Sequence, residues 1–110
     1  MSELRLATGE AERLREKFPG RVPVFALRAS GERSVPELPK KKFLVPTTMV
    51  FGGFIYTIRK HLELPPEKAL FAFIRNSLPT TSVTIGELYH AYKDDDGALR
   101  LYYTSENTFG

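Results

Sequence analysis

The stretch from Lys40 to Leu62, KKKFLVPTTMVFGGFIYTIRKHL, constrains the fold more than any other. A basic run, Lys40 to Lys42, enters the β-type apolar run Phe43 to Val45, and Pro46 then withholds the backbone donor that a longer ladder would need. The strand is therefore expected to be short. Thr47 or Thr48 stands where a helix cap is wanted. Beyond them Phe51, Phe54, Ile55, Ile58 and Leu62 recur at three- and four-residue spacing, one apolar helical face that belongs on a core. An edge strand offers unpaired amides and carbonyls to an extended peptide, and neighbouring aromatic and aliphatic side chains can supply pockets. Peptide capture is the first functional expectation.

The rest of the chain supplies what this pair packs against. Residues 8–18, TGEAERLREKF, read as an amphipathic helix with Thr8 as a possible cap and Leu14 and Phe18 on its apolar stripe. Pro19 and Gly20 break it, and Arg21 to Arg28, RVPVFALR, reads as a strand covered on both sides. Residues 29–39, ASGERSVPELP, read as an exposed connection. Pro65 and Pro66 end the central helix, and Ala69 to Ile74 reads as a strand. Thr84 and Glu87 have capping-box spacing for a short helix over Ile85 to Tyr92. After the turn KDDDG, Leu99 to Thr104 reads as the last strand, and SENTFG as a tail without a packing partner. The order helix, strand, strand, helix, strand, helix, strand resembles the ubiquitin-like β-grasp. The expected class is thus α+β, a four-stranded mixed sheet with an amino-terminal helical extension. At 110 residues and 42% hydrophobic content, one domain is expected: helical segment 1–20, β-grasp core 21–104 and flexible tail 105–110.

Composition excludes several classes. Without cysteine, the chain can form no disulfide, thiolate metal site or cysteine nucleophile, and thioester chemistry would need a partner's sulfur. The amino terminus lacks a signal-peptide core, so a cytosolic or nuclear location is expected. His61 and His90 have neither zinc nor triad spacing, Asp94 to Asp96 lack the alternation and distal glutamate of a calcium loop, and Gly52 and Gly53 lack a phosphate loop's lysine. No cofactor, metal or catalytic group is expected. Residues 1–60 hold 12 Lys/Arg against 6 Asp/Glu, and residues 61–110 hold 4 against 7. That asymmetry suggests acidic partners, namely peptides with acidic flanks, anionic lipid headgroups or nucleic acid, while on charge alone an ordinary soluble, mildly basic surface accounts for it equally well. A basic nucleic-acid-binding domain using Phe and Tyr for stacking is one alternative, although no recognised binding motif supports it.

Six ordered stretches, KFPGRVPV (17–24), KKKFLVP (40–46), IRK (58–60), LPPEKALFAF (64–73), LPTTSVTIGELY (78–89) and YTSENTFG (103–110), closely resemble the autophagy-eight family of ubiquitin-like modifiers, which includes the GABA-receptor-associated and light-chain-three proteins. The resemblance spans residues 10–110. It implies that the carboxylate of Gly110 is activated with ATP by a partner enzyme, carried on enzyme cysteines and joined to phosphatidylethanolamine. It also implies a deconjugating cysteine protease, cargo receptors and adaptors with aromatic-x-x-aliphatic motifs, and a cytoplasmic protein that moves to autophagosomal membranes when lipidated. Nucleic acid is not among the expected partners. A glycine suits the conjugated end because it has no side chain to obstruct a narrow enzyme channel.

Residue by residue, the resemblance implies an aromatic pocket at Glu10, Leu14, Pro23, Lys42 and Leu44. It implies an aliphatic pocket at Phe43, Val45, Pro46, Met49, Phe54 and Ile58. Arg21, Lys40 and Lys41 are expected to meet acids flanking the bound motif, each exposed pair worth about 0.2–1 kcal/mol. Ordinary core packing is the competing expectation for Leu14, Phe54 and Ile58. Ala98 stands where the family commonly has a large aromatic, which implies a wider aromatic pocket, and Thr57 replaces an aliphatic residue, which implies a less apolar second pocket. The amino terminus is shorter than usual for the family. A ubiquitin-like adaptor that binds motif peptides without being conjugated differs from the modifier in one respect, the need for Gly110.

Overall fold

The computed structural model describes residues 4–106. Its elements run α1 (Glu10–Lys17), β1 (Arg21–Arg28), β2 (Lys42–Pro46), α2 (Phe51–Leu62), β3 (Phe71–Phe73), α3 (Ile85–Tyr92) and β4 (Leu99–Thr104). The strands form one mixed sheet in the order β2-β1-β4-β3. β1 pairs parallel with β4, and the other two pairings are antiparallel. The architecture is the expected α+β sheet with an amino-terminal helix, and β2 is an edge.

β1 is covered on both faces, as its near-continuous apolar run requires. Val22, Val24 and Ala26 enter the main core with Phe51, Phe54, Ile58 and Leu62 of α2 and Ile85, Leu88 and Tyr89 of α3. Phe25 points to the other side, into a second cluster with Leu6, Ala11 and Ala98 beneath α1. β2 alternates instead: Phe43 and Val45 are buried, while Lys42, Leu44 and Pro46 are exposed to varying degrees.

Several local expectations are corrected. Val50, not Thr47 or Thr48, is the N-cap of α2, without a side-chain cap bond. The amides of the first turn are satisfied from elsewhere: those of Phe51 and Gly52 donate to the carbonyls of Val83 and Thr81. Gly9 rather than Thr8 caps α1. β3 is shorter than residues 69–74 suggest, because Ile74 turns into an isolated bridge with Ser77. The 29–39 connection has no regular element but is not simply exposed: Val35 and Leu38 are each 1% exposed. The Tyr103 hydroxyl fastens it, accepting from Leu38 N (2.9 Å) and donating to Pro36 O (3.1 Å). Nor is Ser105 without a partner, since Glu32 accepts from its amide at 2.9 Å. By contrast, α3 has the expected capping box. Thr84 Oγ1 accepts from Glu87 N at 3.1 Å, and Glu87 Oε1 accepts from Thr84 N at 3.0 Å.

A candidate peptide-docking edge

Hydrogen bonding across β1 and β2 decides what the edge presents. Ala26 N donates to Lys41 O and Thr47 N to Gly20 O, both at 2.9 Å. With Val22 opposite Val45 and Val24 opposite Phe43, the strands exchange backbone bonds at these alternate pairs. Pro23, which has no donor to give, falls opposite Leu44 in a pair that needs none. The amides and carbonyls of Lys42 and Leu44 therefore face away from the sheet. Arg21 Nη1 reaches across to donate to Leu44 O at 3.0 Å, and a carbonyl has a second lone pair for an added strand.

On the α1 side of β2, the structure brings Glu10 and Lys42 together in an ion pair of 2.8 Å. That bond, followed by one from Ala7 N, holds the Glu10 carboxyl below its ordinary range. Leu14 packs partly buried against the second cluster, Pro23 is buried and Leu44 is half-buried. Ala98 does not open this region. It is fully buried, in the cluster it forms with Leu6, Ala11 and Phe25.

On the α2 side, Phe43, Val45, Phe54 and Ile58 converge, but as core residues no more than 9% exposed. Phe43 meets Phe54 edge-on at 5.5 Å. Pro46 and Met49 remain half-buried at the margin. Thr57 Oγ1 donates to Gly53 O of its own helix at 3.1 Å, so the hydroxyl adds less polarity here than its sequence position suggests. His61 is a neighbour that spacing rules alone did not connect to this site. It stands edge-on to Phe43 at 5.7 Å, three turns along α2 from Phe51, and the apolar periodicity of that helix could have placed it.

The basic run is already engaged within the chain. Lys40 Nζ lies 5.4 Å over the Phe43 ring, Lys41 pairs with Glu37 at 3.3 Å and Lys42 pairs with Glu10. A peptide's acids would exchange partners with these lysines rather than meet bare charge. Gly110 lies outside the described residues, and no group of acidic or histidine side chains suited to a metal occurs among those described.

The comparisons agree with this architecture. The family described as "Autophagy protein Atg8 ubiquitin like" matches residues 7–110. Autophagy-related protein 8a of Arabidopsis thaliana is 44% identical over 107 residues, 97% of this chain and 87% of that protein. Autophagy-related protein 8 of Mycosarcoma maydis is 46% identical over 101 residues, 92% of this chain and 85% of that protein. The crystal structure of Trypanosoma brucei ATG8 superposes with a TM-score of 0.84 at 34% identity, covering 93% of this chain and 87% of that one.

Proposed function

Because the chain belongs to the Atg8 family of ubiquitin-like autophagy proteins, we propose that it works as a lipid-anchored recruiting surface. In this reading Gly110 is joined to phosphatidylethanolamine, and the β2 edge takes motif peptides as an added strand. The observation that carries the peptide half is the outward direction of the Lys42 and Leu44 backbone groups at an edge of the sheet. The peptide's aromatic would insert between α1 and β2, near Glu10, Leu14, Pro23, Lys42 and Leu44. Its aliphatic residue would enter beside Pro46 and Met49, with Phe43, Val45, Phe54 and Ile58 beneath as floor. Arg21, Lys40 and Lys41 would exchange their internal contacts for the peptide's acids, which raises association rate and sets specificity.

For conjugation the chain supplies a carboxylate and no catalytic group. An activating enzyme adenylates that carboxylate with ATP and passes it to its own cysteine. A conjugating enzyme then presents the thioester to the lipid amine, and a cysteine protease reverses the linkage. The protein is then cytoplasmic until lipidated and autophagosomal afterwards, where cargo receptors and adaptors meet it.

The test compares wild type with Gly110→Ala for ATP-dependent transfer to phosphatidylethanolamine liposomes, read by mass. One lipid added to wild type and none to the variant is the expected result. No adduct, with enzymes active on another family member, leaves a peptide-binding adaptor instead.

A further inference from the structure

Resting on the reading of Gly110 as the conjugated end, we propose that Glu32, together with Ser34, is a positioning residue for that end. Its carboxylate clasps Thr104 and Ser105 and fixes where the carboxy-terminal segment leaves the sheet. Among the described residues, Glu32 is the charged residue that is buried as a whole, at 8% exposure. One carboxylate oxygen accepts from Thr104 Oγ1 at 2.8 Å and Ser105 N at 2.9 Å. The other accepts from Ser34 N at 2.8 Å and Ser34 Oγ at 2.9 Å. The Ser105 hydroxyl sits against both oxygens, at 3.1 and 3.3 Å, and 2.8 Å from that of Ser34.

Among the described residues no lysine or arginine forms an ion pair with this carboxylate. Burial by itself would raise its pKa, but the bonds from Ser105, Thr104 and Ser34 outweigh that and hold it down to about 2. It is thus ionised at neutral pH, and a charged acceptor makes stronger hydrogen bonds than a neutral one. All of this is spent on two segments: the turn after β1, which Gly31 makes with a φ of +85°, and the chain just as β4 ends. Closing the β1–β2 connection would not require an acceptor aimed at Ser105, whose amide is the first beyond the strand.

The consequence is a limit on reach. Gly110 lies five positions beyond Ser105, a span of at most about 17 Å from the clasp, whereas a chain held only as far as the Thr104–Phe71 pairing would sweep roughly 20 Å with no set direction. Delivering a carboxylate to an enzyme cysteine rewards a restricted start.

Full-length wild type, Glu32→Gln and Ser105→Ala are compared in two measurements. One is kcat/KM for transfer to phosphatidylethanolamine liposomes by activating and conjugating enzymes. The other is amide hydrogen exchange at Ser105, with Ala26 and Leu101 as controls in the core strands. A glutamine has one accepting oxygen in place of two, so it cannot hold both Ser34 N and Ser105 N. Exchange at Ser105 is expected to rise roughly tenfold in Glu32→Gln, with Ala26 and Leu101 unchanged, while kcat/KM for transfer falls roughly tenfold. Ser105→Ala, which removes one hydroxyl, should show a smaller change in the same direction and keeps the test open if Glu32→Gln folds poorly. Wild-type transfer despite a released Ser105, faster transfer, or a Ser105 as protected as in wild type overturns the proposal. Failure of wild type itself to take lipid is separate: it sinks the conjugation reading, and this proposal with it.

Discussion

Gly97 turns the chain between α3 and β4 with a φ of +89°, and a Cβ at that position would overlap the Cβ of Ala11 in α1. One glycine therefore sets both the turn and the distance at which α1 can settle. The neighbouring acids complete the fastening. Arg100 donates to Asp96 and to Asp94, at 2.6 and 2.9 Å at the closest, and to Leu4 O at 2.7 Å, while Asp96 accepts from Leu6 N at 2.9 Å. The run KDDDG is thus the anchor of the amino-terminal segment, which its reading as a plain turn leaves out. Gly97→Ala should cost about 2 kcal/mol or more, from left-handed strain plus overpacking against Ala11. Urea denaturation measures it, and an unchanged midpoint would mean that α1 shifts at no cost.

At the scale of elements, β2 is legible because its signals are local: a β-type triplet, a flanking proline and a basic entry. Which of its backbone groups face outward is a matter of register, and Pro23 on β1 fixes that register as much as β2 does. A substitution can separate backbone from side chain here. Leu44→Pro removes an amide directed away from β1, where proline is tolerated at an edge, and Leu44→Ala removes only side-chain contact. Motif-peptide affinity should fall about two- to tenfold further in Leu44→Pro than in Leu44→Ala, the worth of one net hydrogen bond. Calorimetric titration of the two variants gives the ratio, and equal affinities would argue against strand addition at this position. α3 is the other element whose start is legible in sequence, since a capping box is contained within four residues, even though its first two amides, those of Ile85 and Gly86, donate to Met49 O and Thr47 O. α2 has no local box of this kind: Val50 caps it without a side-chain bond, and its first amides find carbonyls more than 25 residues away in sequence, so nothing near its start marks the cap.

Across the whole molecule, Glu10, Glu32, Glu87 and Asp96 all sit below their ordinary carboxyl ranges, held by Lys42, by the hydroxyls and amides around Ser105, by Thr84 and by Arg100 respectively. The unfolded chain then binds protons more readily than the folded one, so their contribution is complete above the unfolded values and is lost as pH falls through the folded ones. Stability should decline from pH near 4.5 toward 2, the interval over which Glu32 is displaced, and Glu32→Gln should flatten part of that slope in urea denaturation at stepped pH. Residues 4–106 contain three helices and four strands, and their order follows from sequence alone, because periodicity, breakers and caps act over a few residues. So does the candidacy of β2 as an edge. The tertiary structure decided what depends on groups far apart in the chain: that Phe43, Val45, Phe54 and Ile58 are core before they are pocket, that the basic run is already paired, and that Ala98 is closed over by α1. It also decided that a glutamate in an apparently loose connection grips the end of the last strand, since a carboxylate selects its donors by distance in space and sequence spacing carries no trace of it.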